Sequence, residues 1–224
     1  MDTQTLKGCI FDADGTLLDS MPVWVKADQV YLSRHGVRAT PELSREMFAM
    51  TMSDITGMLK ERFGIKDTPD KIAEDIKAIV ADFYAREVGL KPGMEEFLSD
   101  LKEKNIPMMI CTSNDKALID AALDHLGING LFVKVLTCDE AHTDKSSPAI
   151  YDMGARMLGQ APEHVMVFED ALHALESAKA GGFLTCGVFD AYSAMYEADL
   201  RRMSDVFIKT REDFKKLSVF FKIP

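Results

Sequence analysis

Gly8-Cys9-Ile10-Phe11-Asp12-Ala13-Asp14-Gly15-Thr16-Leu17-Leu18-Asp19-Ser20 is the stretch from which the rest of the chain can be read. Leu6 and Cys9 to Phe11 give a short apolar strand that ends on Asp12, and Asp14, Gly15 and Thr16 mark a turn. Two carboxylates two residues apart at a strand's carboxyl end face the crevice where open α/β sheets take ligands. By spacing alone, Asp-x-Asp-Gly-Thr reads equally well as an ordinary Asp-rich turn.

Working outward, the chain of 224 residues is long enough for a full α/β core and a small additional domain. Its 47% hydrophobic and 28% charged residues are the balance of a globular enzyme. A formal net charge of -10 argues against nucleic acid and against anionic membranes as partners, so an anionic substrate needs a local basic site. Residues 1–20 show no basic start followed by a long apolar run, and no stretch is long enough to span a bilayer, which makes the cytoplasm the expected location. Cys9, Cys111, Cys138 and Cys186 are scattered without a Cys-x-x-Cys pair and read as buried free thiols.

After the opening turn, Ser20 is expected to cap a helix with Pro22 in its first turn, with Val23, Ala27, Val30 and Tyr31 on one face and Gly36 as its stop. Helical patterns follow over 42–50, 53–63 and 70–88, the last with an apolar stripe of Ile72, Ile76, Ile79, Val80 and Phe83. No strand interrupts residues 20–88, so an all-helical insertion separates the first strand from the next. Gly89 to Gly93 reads as the return linker. Beyond it, helices over 95–104, 116–126, 149–158 and 172–180 alternate with apolar runs over 108–111, 132–136, 165–168, 184–188 and 206–208. Such alternation implies a parallel sheet covered on both faces. The expected fold is therefore α/β: a Rossmann-like parallel sheet core formed by 1–18 and 90–224, with an inserted all-α helical cap domain at 19–89. The apolar Val219-Phe220-Phe221 is expected to pack onto the core.

Three later stretches carry further chemistry. Thr112-Ser113-Asn114-Asp115 follows a strand and begins a helix, a place that suits a phosphate or plain helix capping. Lys145, in Thr143-Asp144-Lys145-Ser146-Ser147-Pro148, has the look of a solvated loop charge, or of the cation an anionic substrate needs. Glu169 and Asp170 close the apolar strand Val165-Met166-Val167-Phe168; an acidic pair there repels itself unless a cation or hydrogen bonds compensate.

Taken in order, Phe-Asp-x-Asp-Gly-Thr-Leu-Leu-Asp-Ser, Thr112, Lys145 with Pro148, and Glu169-Asp170 resemble the four motifs of the haloacid dehalogenase-like hydrolase superfamily. The branch is the one that contains β-phosphoglucomutase and many small-molecule phosphatases with a helical cap. The resemblance runs from residue 7 to about 189. It implies Asp12 as the nucleophile that forms an aspartyl-phosphate, Asp14 as general acid/base, and Thr112 and Lys145 as the groups that stabilise the phosphoryl oxygens. It further implies magnesium (Mg2+) held by Asp12, the backbone carbonyl of Asp14, and Asp170, with Glu169 as a direct or supporting ligand. Thr16, Ser113, Asn114 and Trp24 are the further candidates for contact with phosphate or substrate, Trp24 either stacking on a sugar or base or filling the cap core. Departures from the family pattern are Ser146 in place of the first proline of Lys-Pro-x-Pro, and Ala171 and Ala174 after the acidic pair.

The implied activity is a magnesium-dependent phosphatase for small phosphate monoesters such as sugar or nucleoside phosphates, in a chain with no feature that demands more than a monomer. Mutase members of this branch place a histidine where this chain has Trp24, and a cap arginine where only Lys60 lies between Arg45 and Arg62. Hydrolysis is therefore expected over the alternative, a β-phosphoglucomutase-like sugar-phosphate mutase. A more remote alternative is a non-catalytic magnesium- and phosphate-binding protein. Met47, Met50, Met52 and Met58 read as adaptable cap packing.

Overall fold

The computed structural model describes residues 6–48 and 50–220; within that span the side chains at 24, 25, 41, 44, 45, 48, 52, 215, 216 and 218–220 lie outside the description. The chain separates into two compact units, one made of the segments up to Ser20 and from Val88 onward, the other of Met21–Glu87.

The sheet unit opens with β1 (Gly8–Phe11), and the chain then enters the helical unit. There α1 (Pro22–Arg34), α2 (Pro41–Phe48), α3 (Met52–Phe63) and α4 (Pro69–Arg86) follow one another. Their bounds are set by local chemistry: Thr51 and Thr68 accept from the amides of Asp54 and Lys71, and Gly64 ends α3 in the left-handed conformation. Their apolar faces bury Val23, Ala27, Tyr31 and Leu32 from α1 and Ile72, Ile79, Val80 and Tyr84 from α4, whereas Val30, Ile76 and Phe83 are only half-buried. Met47 and Met58 are buried, as packing residues should be. Ser20 does not cap α1, whose N-cap is Met21 without a side-chain hydrogen bond.

On returning, the chain forms α5 (Met94–Glu103), β2 (Met108–Thr112), α6 (Lys116–His125), β3 (Phe132–Thr137), α7 (Cys138–Ala141), α8 (Ala149–Leu158), β4 (Val165–Glu169), α9 (Leu172–Ala180), β5 (Leu184–Val188), α10 (Glu197–Met203), β6 (Val206–Ile208) and α11 (Arg211–Phe220). The six strands are parallel, in the order β3-β2-β1-β4-β5-β6. β1, β2, β4 and β5 are wholly buried, as expected for continuous apolar strands between helical layers. The outgoing and returning segments are tied together: Asp19 N–H donates to Gly89 O (2.9 Å), Lys91 N–H donates to Leu17 O (3.0 Å), and Leu18 and Leu90 form an antiparallel bridge.

The short helices α7 and α10 and the C-terminal α11 have no counterpart in the sequence pattern, since α7 is a single turn and Leu200 is the one buried residue of α10. α11 sends Phe214 and Leu217 into the core, while the side chains of Val219 and Phe220, and all of Phe221, lie outside the described residues. Cys9, Cys111 and Cys186 are buried free thiols and Cys138 is half-buried.

Candidate active site

β1 lies between β2 and β4, so the strand order reverses beside it, which opens a crevice at the strand ends. The register pairs Phe11 with Ile110 on one side and Phe168 on the other, which sets Asp12 level with Glu169 and next to the Thr112 end of β2. Asp12 N–H donates to Phe168 O (3.0 Å), the last rung before the chain turns away. The turn needs Gly15, whose φ is +80°. A Cβ there would stand 2.8 Å from Asp170 Oδ2, so glycine also allows that carboxylate its close approach.

Asp12, Glu169 and Asp170 are all buried, each with a carboxylate oxygen within 4.8 Å of the others. The loop lysine is not solvated. Lys145 is 7% exposed, and its ammonium pairs with Asp12 Oδ1 and with Glu169 Oε1 (2.7 Å). The same Glu169 oxygen accepts from the Tyr151 hydroxyl at 2.7 Å. Thr16 is wholly buried and its hydroxyl donates to Asp170 Oδ1 (3.2 Å), which orients that carboxylate.

Asp14 is outside this trio and its side chain is held separately. Its Oδ1 accepts from Ser20 Oγ (2.5 Å) and its Oδ2 from Asn114 Nδ2 (2.8 Å). Asn114, expected on a phosphate, thus steadies Asp14, and its Oδ1 accepts from Asp115 N–H (2.7 Å). Thr112 is buried at the end of β2 with its Oγ1 accepting from Asn114 N–H (3.0 Å), and Ser113 is exposed. The cap of α6 is Asp115, which accepts from Ala117 N–H (2.8 Å), so capping does not occupy Thr112. Trp24 belongs to α1, and its side chain lies outside the described residues.

Electrostatics in this crevice are those of too much negative charge. Burial raises the pKa of Asp12 well above the carboxylate range; Lys145 pulls it back, and Glu169, Asp170 and Asp14 add to the rise. Asp170 is pushed up to about 7, by burial first and then by Glu169 and Asp190. Burial disfavours the charge on Lys145, but Asp12 and Glu169 outweigh it and hold its pKa above the ordinary lysine value. Three buried carboxylates thus stand against one ammonium, which is paired with Asp12 and Glu169. The donor set is all oxygen and suits a hard divalent cation such as magnesium.

The pKa of Asp170 has a consequence for stability. Between its unfolded value near 4 and about 7 the native state binds more protons than the unfolded chain, so stability falls as pH rises through that interval. In chelator, the melting temperature should drop by roughly 5 °C from pH 5 to pH 8. Magnesium should recover the loss at pH 8, and Asp170→Asn should flatten the slope; a melting curve that ignores both would refute the charge excess.

Three residues of this neighbourhood, Ser20, Tyr151 and Asp190, are given no site role from the sequence. Ser20 closes the first motif and reads as a helix cap, and Tyr151 sits in an ordinary helical context. Asp190 is buried two residues beyond β5, ion-paired with Lys91 of the return segment (2.8 Å) and accepting from Tyr192 N–H (2.8 Å). Its position, an acid after an apolar strand, was the available clue.

The model of the haloacid dehalogenase-like hydrolase family matches residues 9–188. The chain is 27% identical over 177 residues to a phosphorylated carbohydrates phosphatase of Thermotoga maritima, covering 79% of this chain and 82% of that one. It is 32% identical to hexitol phosphatase A of Escherichia coli, covering 79% of this chain and 80% of that one. Among solved structures, a Thermotoga maritima protein with a provisional beta-phosphoglucomutase assignment superposes with a TM-score of 0.82 at 24% identity, over 96% of this chain and 99% of the other. A haloacid dehalogenase-like hydrolase of Deinococcus radiodurans, with bound phosphate and sodium, gives 0.75 at 18% identity over 97% of each chain. At those identities the structural likeness speaks for the fold, while the family model spans the sheet strands β1 to β5 and every acidic residue described above except Asp190. The chain belongs to the haloacid dehalogenase-like hydrolase family.

Proposed function

We propose that the protein hydrolyses small phosphate monoesters, sugar phosphates foremost, through an aspartyl-phosphate on Asp12. One observation carries this reading: a buried nucleophile candidate, Asp12, ion-paired to Lys145, with a second aspartate two residues on held apart from it by Ser20 and Asn114. The names of the curated relatives, phosphatases of phosphorylated carbohydrates and hexitol phosphates, support the substrate class.

In the first half-reaction an Asp12 oxygen forms the bond to phosphorus while the ester P–O bond breaks. Asp14, as the general acid, delivers a proton to the departing alkoxide. In the second, Asp14 takes a proton from water as that water attacks phosphorus, and the acyl-phosphate bond breaks to release phosphate and restore Asp12. Lys145 pairs with the nucleophile, and in this reading it and Thr112, at the end of β2, stabilise the phosphoryl oxygens. Asp12, Asp170, the main chain at Asp14 and, directly or in support, Glu169 would hold magnesium. When bound, that ion neutralises the combined charge of nucleophile and substrate.

The test is phosphate release from a panel of sugar, nucleoside and short-acid phosphates, with magnesium or with chelator. Release that requires magnesium is the expected result. Isomer formation exceeding phosphate release in the presence of a sugar bisphosphate would replace the phosphatase with a mutase, and ligand-induced stabilisation without turnover would leave a binding protein.

A further inference from the structure

Tyr151 has the chemistry of a core residue with one exception. It is the third residue of α8, its side chain is wholly buried, and its ring stands edge-on to Phe183 with centroids 6.1 Å apart. Its helix lies unusually close to the sheet: a Cβ at Gly154 would meet Ile10 Cδ1 at 2.8 Å and Met109 Sδ at 3.0 Å. Residues three apart share a helix face, so this close seating also presses Tyr151 against the sheet. The first turn of α8 is thereby delivered to the strand ends, where the phenol reaches Glu169 Oε1. Phenylalanine would fill the same apolar space without a buried hydroxyl to satisfy, so what distinguishes tyrosine at this site is its donated hydrogen bond.

We infer that Tyr151 is a positioning residue which, through Glu169, holds Lys145 at Asp12. Glu169 Oε1 receives two donors at 2.7 Å, the phenol from α8 and the ammonium from the loop before it. Two donors on one oxygen fix the orientation of the carboxylate. With only the lysine as donor, Glu169 is free to rotate, and an ammonium divided between Glu169 and Asp12 follows it. The phenol's hydrogen bond goes to Glu169, so Tyr151 acts through that carboxylate. Its effect falls on the moment when Lys145 must meet charge that builds on the phosphoryl group, and much less on ground-state binding.

This inference rests on the phosphatase reading above. The experiment compares wild type with Tyr151→Phe at saturating magnesium, measuring kcat and KM for the best substrate of the panel. Calorimetric affinities for orthovanadate, which adopts the five-coordinate geometry of phosphoryl transfer, and for inorganic phosphate are measured alongside. Tyr151→Phe should lower kcat roughly 10-fold with KM within about 3-fold, and should weaken vanadate by a similar factor while phosphate binding changes less than about 3-fold. Phe183→Leu, which loosens the same packing but keeps the hydroxyl, should lower the melting temperature and leave the vanadate-to-phosphate ratio unchanged. An active wild type with Tyr151→Phe equal to it overturns the inference, as does equal weakening of vanadate and phosphate. A wild type that releases no phosphate overturns the underlying reading instead.

Discussion

Asp12→Asn should remove turnover by at least about 10^4-fold while the protein folds normally, because an amide at this position cannot form the acyl-phosphate bond. The fold tolerates the change for a specific reason. Asp12 is crowded by Glu169, Asp170 and Asp14, and burial has already raised its pKa well above the carboxylate range. Replacing it relieves that crowding at the cost of one of Lys145's two ion pairs, so in chelator the melting temperature should stay within about 3 °C of wild type. Single-turnover phosphate release and thermal melting check the two halves of this expectation. Appreciable activity in Asp12→Asn would remove it as the nucleophile.

Lys145→Met should have the opposite balance, with both activity and stability lost. The ammonium is the cation shared by Asp12 and Glu169, and it is buried with them. Removing one partner of a buried ion pair leaves charge without compensation, an effect of about 3–5 kcal/mol. Urea unfolding at pH 8 in chelator should show a loss of that order, and either magnesium or a lower pH should restore part of it by supplying positive charge or protons. Phosphate release should fall by roughly 10^2- to 10^3-fold even with magnesium, since a transition-state contact is gone. A stable and active Lys145→Met would mean that the buried ammonium is dispensable.

Much of this architecture is legible in the chain because continuous apolar strands and amphipathic helices announce themselves locally. α8, α9, β5 and β6 begin and end where the apolar pattern and its punctuation place them. The partners of the reactive side chains are not local. Nothing in Thr143-Asp144-Lys145-Ser146 distinguishes a buried lysine from a solvated one; only the β1–β4 neighbour relation brings Asp12 and Glu169 to it. Thr16, Ser20 and Asn114 illustrate the same limit: each carries a hydroxyl or amide suited to capping or to phosphate, and each is committed to a carboxylate that the tertiary fold supplies or that the turn presents. Asp190 and Lys91, 99 residues apart, could be paired only by the structure.

The bridge between Leu18 and Leu90 makes the long helical insert, topologically, a loop on the sheet unit. Its two ends meet at about one strand spacing, near 5 Å. The entropic cost of closing a loop grows only with the logarithm of its length, so the sheet unit is nearly indifferent to how many residues are housed between those ends. Such a junction works as a socket: an insert of another size or sequence can be exchanged at it while β1, its turn and the paired return segment keep their own hydrogen bonds. The selection pressures on the two units can therefore diverge, with the chemistry-bearing crevice held constant and the insert left open to replacement as a whole.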